Sequence, residues 1–160
     1  MIQGDLQTGL VAYLNLLEDR INLSVPKENL RYLFKITNDM NKAEFYSYAF
    51  HTFYAERYVR CAFNYNVNPN IFNGDLKLQP AGYYKYEVYE VAWDQGCTVE
   101  LSEGYAPVNE TQVLSDPCAG VVQGLIAIGK LYLSEKSGQE QVQYVQRVAP
   151  TTTNYIYYGQ

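Results

Sequence analysis

Tyr83-Tyr84-Lys85-Tyr86-Glu87-Val88-Tyr89-Glu90-Val91-Ala92-Trp93 decides the fold class. Tyr84, Tyr86 and Val88 alternate with Lys85, Glu87 and Tyr89. A period of two puts the two sets on opposite faces of an extended strand. The β-branched and aromatic content suits a pleated surface. Aromatic residues occupy both parities. One face can serve a core, and the other needs cover of its own.

The same alternation recurs upstream, where Tyr32, Phe34 and Ile36 interleave with Leu33, Lys35 and Thr37. Asn38-Asp39-Met40-Asn41-Lys42 follows with turn chemistry, because Asn and Asp bond nearby backbone and tolerate left-handed conformations. A further strand begins at Ala43 and takes in Phe45, Tyr46, Ser47, Tyr48 and Phe50, which predicts a hairpin. Residues 58–66 predict another strand, with Val59, Cys61 and Phe63 on one face. The Asn-rich residues 66–75 read as a loop, Leu76 and Leu78 as a short strand, and Pro80-Ala81-Gly82 as a turn. Residues 120–133 return to strand character with Leu125, Ala127, Leu131 and Leu133 in phase. A turn at Lys136-Ser137-Gly138 leads to Val142, Tyr144 and Val148.

Two stretches are ambiguous. Near the N-terminus, Leu10, Leu14 and Leu17 fit a helical stripe, while Ala12, Leu14 and Leu16 fit a strand. Residues 55–60 have room for a short helix. Residues 94–119 are the least regular, with Gly96, Gly104, Pro107 and Pro117. So long a connection is functional or hides short strands, for which residues 99–101 and 112–114 are candidates. About eight strands between turn signals predict a mainly β chain: an antiparallel β-sandwich, Ig-like or jelly-roll-like, with at most one short helix. Residues 1–150 read as a single domain, and residues 151–160 as a C-terminal strand or interaction tail.

Composition narrows the function classes. The 160 residues include 17 Tyr, and 18% are charged, with a net charge of −5. Typical domains carry roughly 25% charged residues. Disordered chains have few aromatics and high charge, the reverse of this one. No apolar run approaches the roughly 20 residues of a membrane span. A pI near 4.8 argues against a nucleic-acid role. The basic residues are scattered, with Arg57/Arg60 and Lys27/Arg31 as the closest groupings. The start of the chain lacks the basic-then-apolar pattern of a secretory signal. Cys61, Cys97 and Cys118 are too dispersed for a disulfide framework and read as free thiols acting as small buried hydrophobes. A Cys97–Cys118 pairing stays open, because spacing cannot show that two Cβ atoms meet.

Catalytic signals are weak. His51 lies in an aromatic run without an assigned acid, nucleophile or metal partner. No phosphate loop or Gly-x-Ser-x-Gly is present, and Gly120-x-x-x-Gly124 suggests backbone crowding. Glu87 and Glu90 differ in parity, so a regular strand separates them. Asn109-Glu110-Thr111 matches a glycosylation acceptor only formally. No enzyme, metal or cofactor is expected. Tyr83, Tyr89 and Trp93 share a parity and could form a carbohydrate-stacking platform or a protein interface. With so few charges, the interface reading is favoured, since Tyr buries area while its hydroxyl finds a partner. Tyr155, Ile156, Tyr157 and Tyr158 could pair with a neighbour's strand edge or cap their own sheet.

One family shares these strand patterns. Asn29-Leu30-Arg31-Tyr32-Leu33-Phe34-Lys35-Ile36-Thr37-Asn38-Asp39 resembles the Asn-Pro-x-Tyr-Leu-Phe-x-Phe-Thr-Asn-Asp segment of small proteins from tailed bacteriophages, including marine and crAss-like gut phages. Gly82-Tyr83-Tyr84-Lys85-Tyr86-Glu87-Val88-Tyr89-Glu90 resembles that family's Gly-x-Tyr-x-Tyr-x-Ile-Tyr-Glu strand. Ile128-Gly129-Lys130-Leu131 resembles its x-Gly-Lys-Val strand, and the Tyr-rich end is similar. The order agrees across residues 10–133, although Leu30-Arg31 replaces the usual Pro and residues 94–119 are longer. The resemblance implies a virion structural protein assembled in the host bacterial cytoplasm. The expected role is a capsid auxiliary (decoration) protein or a ring protein of the head–tail connector or tail. Its expected partners are itself and other virion proteins: the major capsid protein, the portal or neighbouring ring proteins. A carbohydrate-binding module is the rival expectation. The resemblance supplies no catalytic or ligand-binding residues.

Overall fold

The computed structural model describes residues 1–135. The turn at 136–138, the strand residues Val142, Tyr144 and Val148, and the tail with Tyr155, Ile156, Tyr157 and Tyr158 lie outside the described residues. Nine strands among the described residues form two sheets. The larger contains, in spatial order, β1 (Ile2–Asp5), β9 (Val121–Ser134), β8 (Gly82–Ala92), β3 (Leu30–Asn38) and β4 (Glu44–Tyr48). The smaller contains β2 (Leu10–Leu14), β6 (Val59–Tyr65) and β5 (His51–Tyr54), with the short β7 (Asp75–Leu76) pairing the end of β6. Neighbours run antiparallel except β1 with β9 and β6 with β7.

The sheets pack as a sandwich, and the alternation read from sequence explains why. Tyr32, Phe34 and Ile36 of β3 and Tyr84, Tyr86 and Val88 of β8 point into one core with Val59, Cys61 and Phe63 of β6. Leu10 and Ala12 of β2 join them, so the ambiguous N-terminal stretch is a strand whose phase follows burial. Phe34 and Phe63 meet edge-on across the sandwich, with ring centroids 4.8 Å apart. The polar run after β3 makes the expected hairpin turn: the Asn38 side-chain oxygen accepts from the Met40 and Asn41 amides at 2.8 and 3.2 Å.

Three local expectations fail for physical reasons. The run from Ala43 to Phe50 is not one strand: β4 ends at Tyr48, and the chain crosses to the other sheet as β5. Residues 55–60 hold no helix but a tight reversal, in which the Ala55 amide donates to the Tyr58 carbonyl at 2.9 Å. Leu125 is out of phase, because the pairing of β9 with β8 skips Ile126. That bulge turns Leu125 outward, 44% exposed, and buries Ile126. Helical content among the described residues is limited to two three-residue 3-10 turns, Lys27–Asn29 and Ile71–Asn73.

Residues 94–119 contain no strand. They fold over the outer face of the large sheet instead. Leu33, Tyr48, Val91, Trp93 and Ala106 form a second core there, and Val99, Leu101 and Tyr89 pack against it. Gly120 is needed at the edge of this cover, since a Cβ would lie 2.6 Å from the Trp93 ring. The neck of the excursion is closed by a disulfide between Cys97 and Cys118, whose Cα atoms are 5.3 Å apart. This corrects the free-thiol reading for two of the three cysteines. Closing a loop of this length stabilises by about 3 kcal/mol. Cys61 alone is a buried free thiol, and burial pushes its pKa up to about 12.

Two outcomes follow from this packing. Phe34→Ala removes the ring that bridges the sheets and should cost about 3–5 kcal/mol in urea denaturation. Native, unreduced protein should take up no iodoacetamide at pH 8, because its one free thiol is buried and protonated; one label per chain should appear only after unfolding.

Candidate functional site

The expected surface cluster of Tyr83, Tyr89 and Trp93 is not formed. All three point to the outer face of β8, as parity requires, but residues 94–119 cover one end of that face. Trp93 is completely buried and Tyr89 half-buried beneath the cover. This corrects Trp93 as a stacking or interface residue. Tyr83 alone is open, 56% exposed, with its ring 4.8 Å from that of Tyr132 on β9. The second cover that the Tyr-rich strand demanded is therefore supplied largely by the same chain.

Polar contacts hold the cover in place. The Glu110 carboxylate accepts from Lys35 Nζ at 2.6 Å and from the Tyr46 hydroxyl at 2.8 Å. Lys35 also pairs with Glu44 at 3.0 Å. The buried Tyr48 hydroxyl donates to the Pro107 carbonyl at 2.6 Å. Burial raises the Tyr48 pKa beyond the ordinary tyrosine range. Burial also works against the charged form of Glu110, but the hydrogen bonds from Lys35 and Tyr46 outweigh it and hold the carboxyl below its ordinary value of 4.5. The glycosylation-like triplet thus serves as an anchor, with Asn109 accepting from the Thr111 amide at 3.0 Å.

Exposed aromatic residues gather elsewhere, on the outward face of the small sheet. Two rows cross its three strands: Tyr13, Arg60 and Phe53, then Val11, Ala62 and His51. Tyr13 is 60% and Phe53 53% exposed, and Val11 and Tyr58 are also open. Tyr13 and Tyr58 stack edge-on at 5.5 Å. Arg60 therefore sits between aromatic neighbours on both sides. Sequence reasoning missed this face because β2 was ambiguous and β5 was merged with β4. The signal was present in the opposite parity of Val11 and Tyr13 to Leu10 and Ala12.

Beside this face, at the β5 edge, lies a groove of about 490 Å³. Its walls come from β5, the start of β3, the first 3-10 turn and Leu101 of the cover. Glu87 and Glu90 are on opposite faces, as parity predicted. Glu90 is buried, and its carboxylate accepts from the Ile21 and Asn22 amides at 3.1 and 2.9 Å. Among the described residues, no group of three or more His, Cys, Asp or Glu could hold a metal ion. No described helix is long and apolar enough to cross a membrane. Comparisons with protein-family models, curated proteins and solved structures find no match to the chain.

The cover should respond to acid. A depressed carboxyl pKa stabilises the fold fully above the free value of 4.5, and that stabilisation is lost as pH falls through the lower folded value. Trp93, the single tryptophan, reports on it directly. Its emission should shift to the red as pH falls below 4.5. Glu110→Gln should lose about 1–3 kcal/mol at pH 7 and flatten this acid dependence.

Proposed function

We propose that the chain is a structural subunit of a tailed-bacteriophage virion. Its role is a capsid auxiliary (decoration) protein or a ring protein of the head–tail connector or tail. The observation that carries this reading is the outward face of the small sheet, where Tyr13, Tyr58, Phe53 and Val11 surround Arg60. Aromatic residues with a central Arg are the composition of an interface core. The chain as a whole is acidic, with a net charge of −5. An arginine-centred face therefore suits an acidic patch, on another subunit or elsewhere on a neighbouring copy, better than the same face of a copy. Such heterologous contacts close into rings or extend over lattices. Many of them at high local concentration hold a particle together even when each is weak.

Two further features support the reading. The strand motifs resembling tailed-phage proteins fall on β3, β8 and β9, the centre of the large sheet. The Cys97–Cys118 bridge suits a particle exposed to oxidising surroundings, since disulfides persist at virion surfaces and are rare in the cytosol. Assembly in the host cytoplasm then precedes oxidation. Neighbouring copies, the major capsid protein, the portal or adjacent ring proteins are the partners of this proposal.

Quantitative mass spectrometry of purified particles tests it. Hundreds of copies per particle indicate the capsid surface, and about a dozen indicate a ring. Absence from particles overturns the proposal. The paired substitution Tyr13→Ser with Phe53→Ser should leave a folded domain and weaken incorporation at least about tenfold.

A further inference from the structure

We propose that the groove at the β5 edge is a binding site for a neutral saccharide. This rests on different observations from the virion reading and stands or falls separately. The groove is large enough for a short oligosaccharide, at about 490 Å³. Phe50 stands at its wall with half its surface open, 52% exposed. An exposed aromatic face beside polar groups matches a sugar, whose C–H face is apolar and whose rim is hydroxylated.

The polar lining is of mixed charge. Glu28 and Arg31 both contribute, with His51, Thr52 and Tyr54. Neither Glu28 nor Arg31 takes part in an ion pair among the described residues. One terminal nitrogen of Arg31 donates to the Glu28 and Leu30 carbonyls at 2.9 and 2.6 Å, which fixes the guanidinium at the wall. An anionic ligand meets Glu28 and a cationic one meets Arg31. A hydroxyl donates to the first and accepts from the second, so a neutral polyol satisfies both.

Leu101, packed against the second core within the cover, also lines the groove. The disulfide and the Glu110 anchor therefore preorganise it. A rigid wall lowers the ordering cost of binding a weak ligand.

The oxidised 160-residue chain, labelled with 15N, is titrated with cellobiose, maltose, lactose and chitobiose and followed by amide shifts. At least one sugar should give saturable shifts centred on His51, Thr52 and Tyr54, with Kd in about the millimolar range. Phe50→Ala should weaken that binding about tenfold or more, with the amide spectrum showing that the variant is folded. Thr52→Val, which suits a strand, should weaken it about threefold and guards against a folding defect at Phe50. Failure of all four sugars to give saturable shifts overturns the proposal. So does saturable binding that maps away from β5 or is unchanged in both variants. Particle copy number is unaffected by either result.

Discussion

Strand β8 is buried along its inner face and at one end of its outer face, and the rest of the fold answers that constraint. It lies between β3 and β9 in the large sheet, so from Tyr84 to Ala92 it has a strand on each side. Inward, Tyr84, Tyr86 and Val88 meet the small sheet. Outward, Val91 and Trp93 meet residues 94–119. A strand with apolar residues at both parities cannot leave either face in water without losing roughly 25 cal/mol for each Å² of apolar area. Most antiparallel sheets leave one face wet. This one uses a long excursion of its own chain as a third layer over part of the sheet.

That layer has no regular secondary structure, so it needs other constraints. Most of its backbone bonds are local: the Cys97 amide donates to Asp94, and the Tyr105 and Ala106 amides donate to Ser102, while the Tyr105 carbonyl accepts from the Gly120 amide at 2.8 Å. The disulfide closes its neck, and Glu110 ties its far part to Lys35 and Tyr46 on the sheet. Tyr48 reaches it from β4 through Pro107. Each contact limits the freedom of an irregular segment, which would otherwise carry a large ordering entropy. The same stapling gives the β5 groove one fixed wall. Packing of the central strand and the shape of a candidate ligand site are thus linked through one loop.

The tyrosine excess divides into three physical roles. Tyr32, Tyr84 and Tyr86 fill the core between the sheets. Tyr46 and Tyr48 use their hydroxyls to hold the cover. Tyr13, Tyr58 and Tyr83 remain open on two separate faces. Among the described residues these three and Tyr105 are open to a partner, and Tyr13 and Tyr58 are grouped beside the small sheet, not on β8.

The alternation of Tyr32, Phe34 and Ile36, of Tyr84, Tyr86 and Val88, and of Val59, Cys61 and Phe63 was enough to establish a two-layer β fold and its inner faces. Alternation is a local property, because successive residues of an extended chain point to opposite sides whatever they pack against. The Asn38 turn was legible for the same reason. What covers an outward face is not local. Whether Trp93 met solvent, a partner or its own chain depended on where residues 94–119 returned, and strand parity carries no information about that. The Cys97–Cys118 pairing depended on the same return, as did the wall that Leu101 gives the groove. Tyr13, Arg60 and Phe53 became one surface only when β2, β6 and β5 lay side by side, and the register of β2 on β6 joins residues some fifty positions apart in the chain.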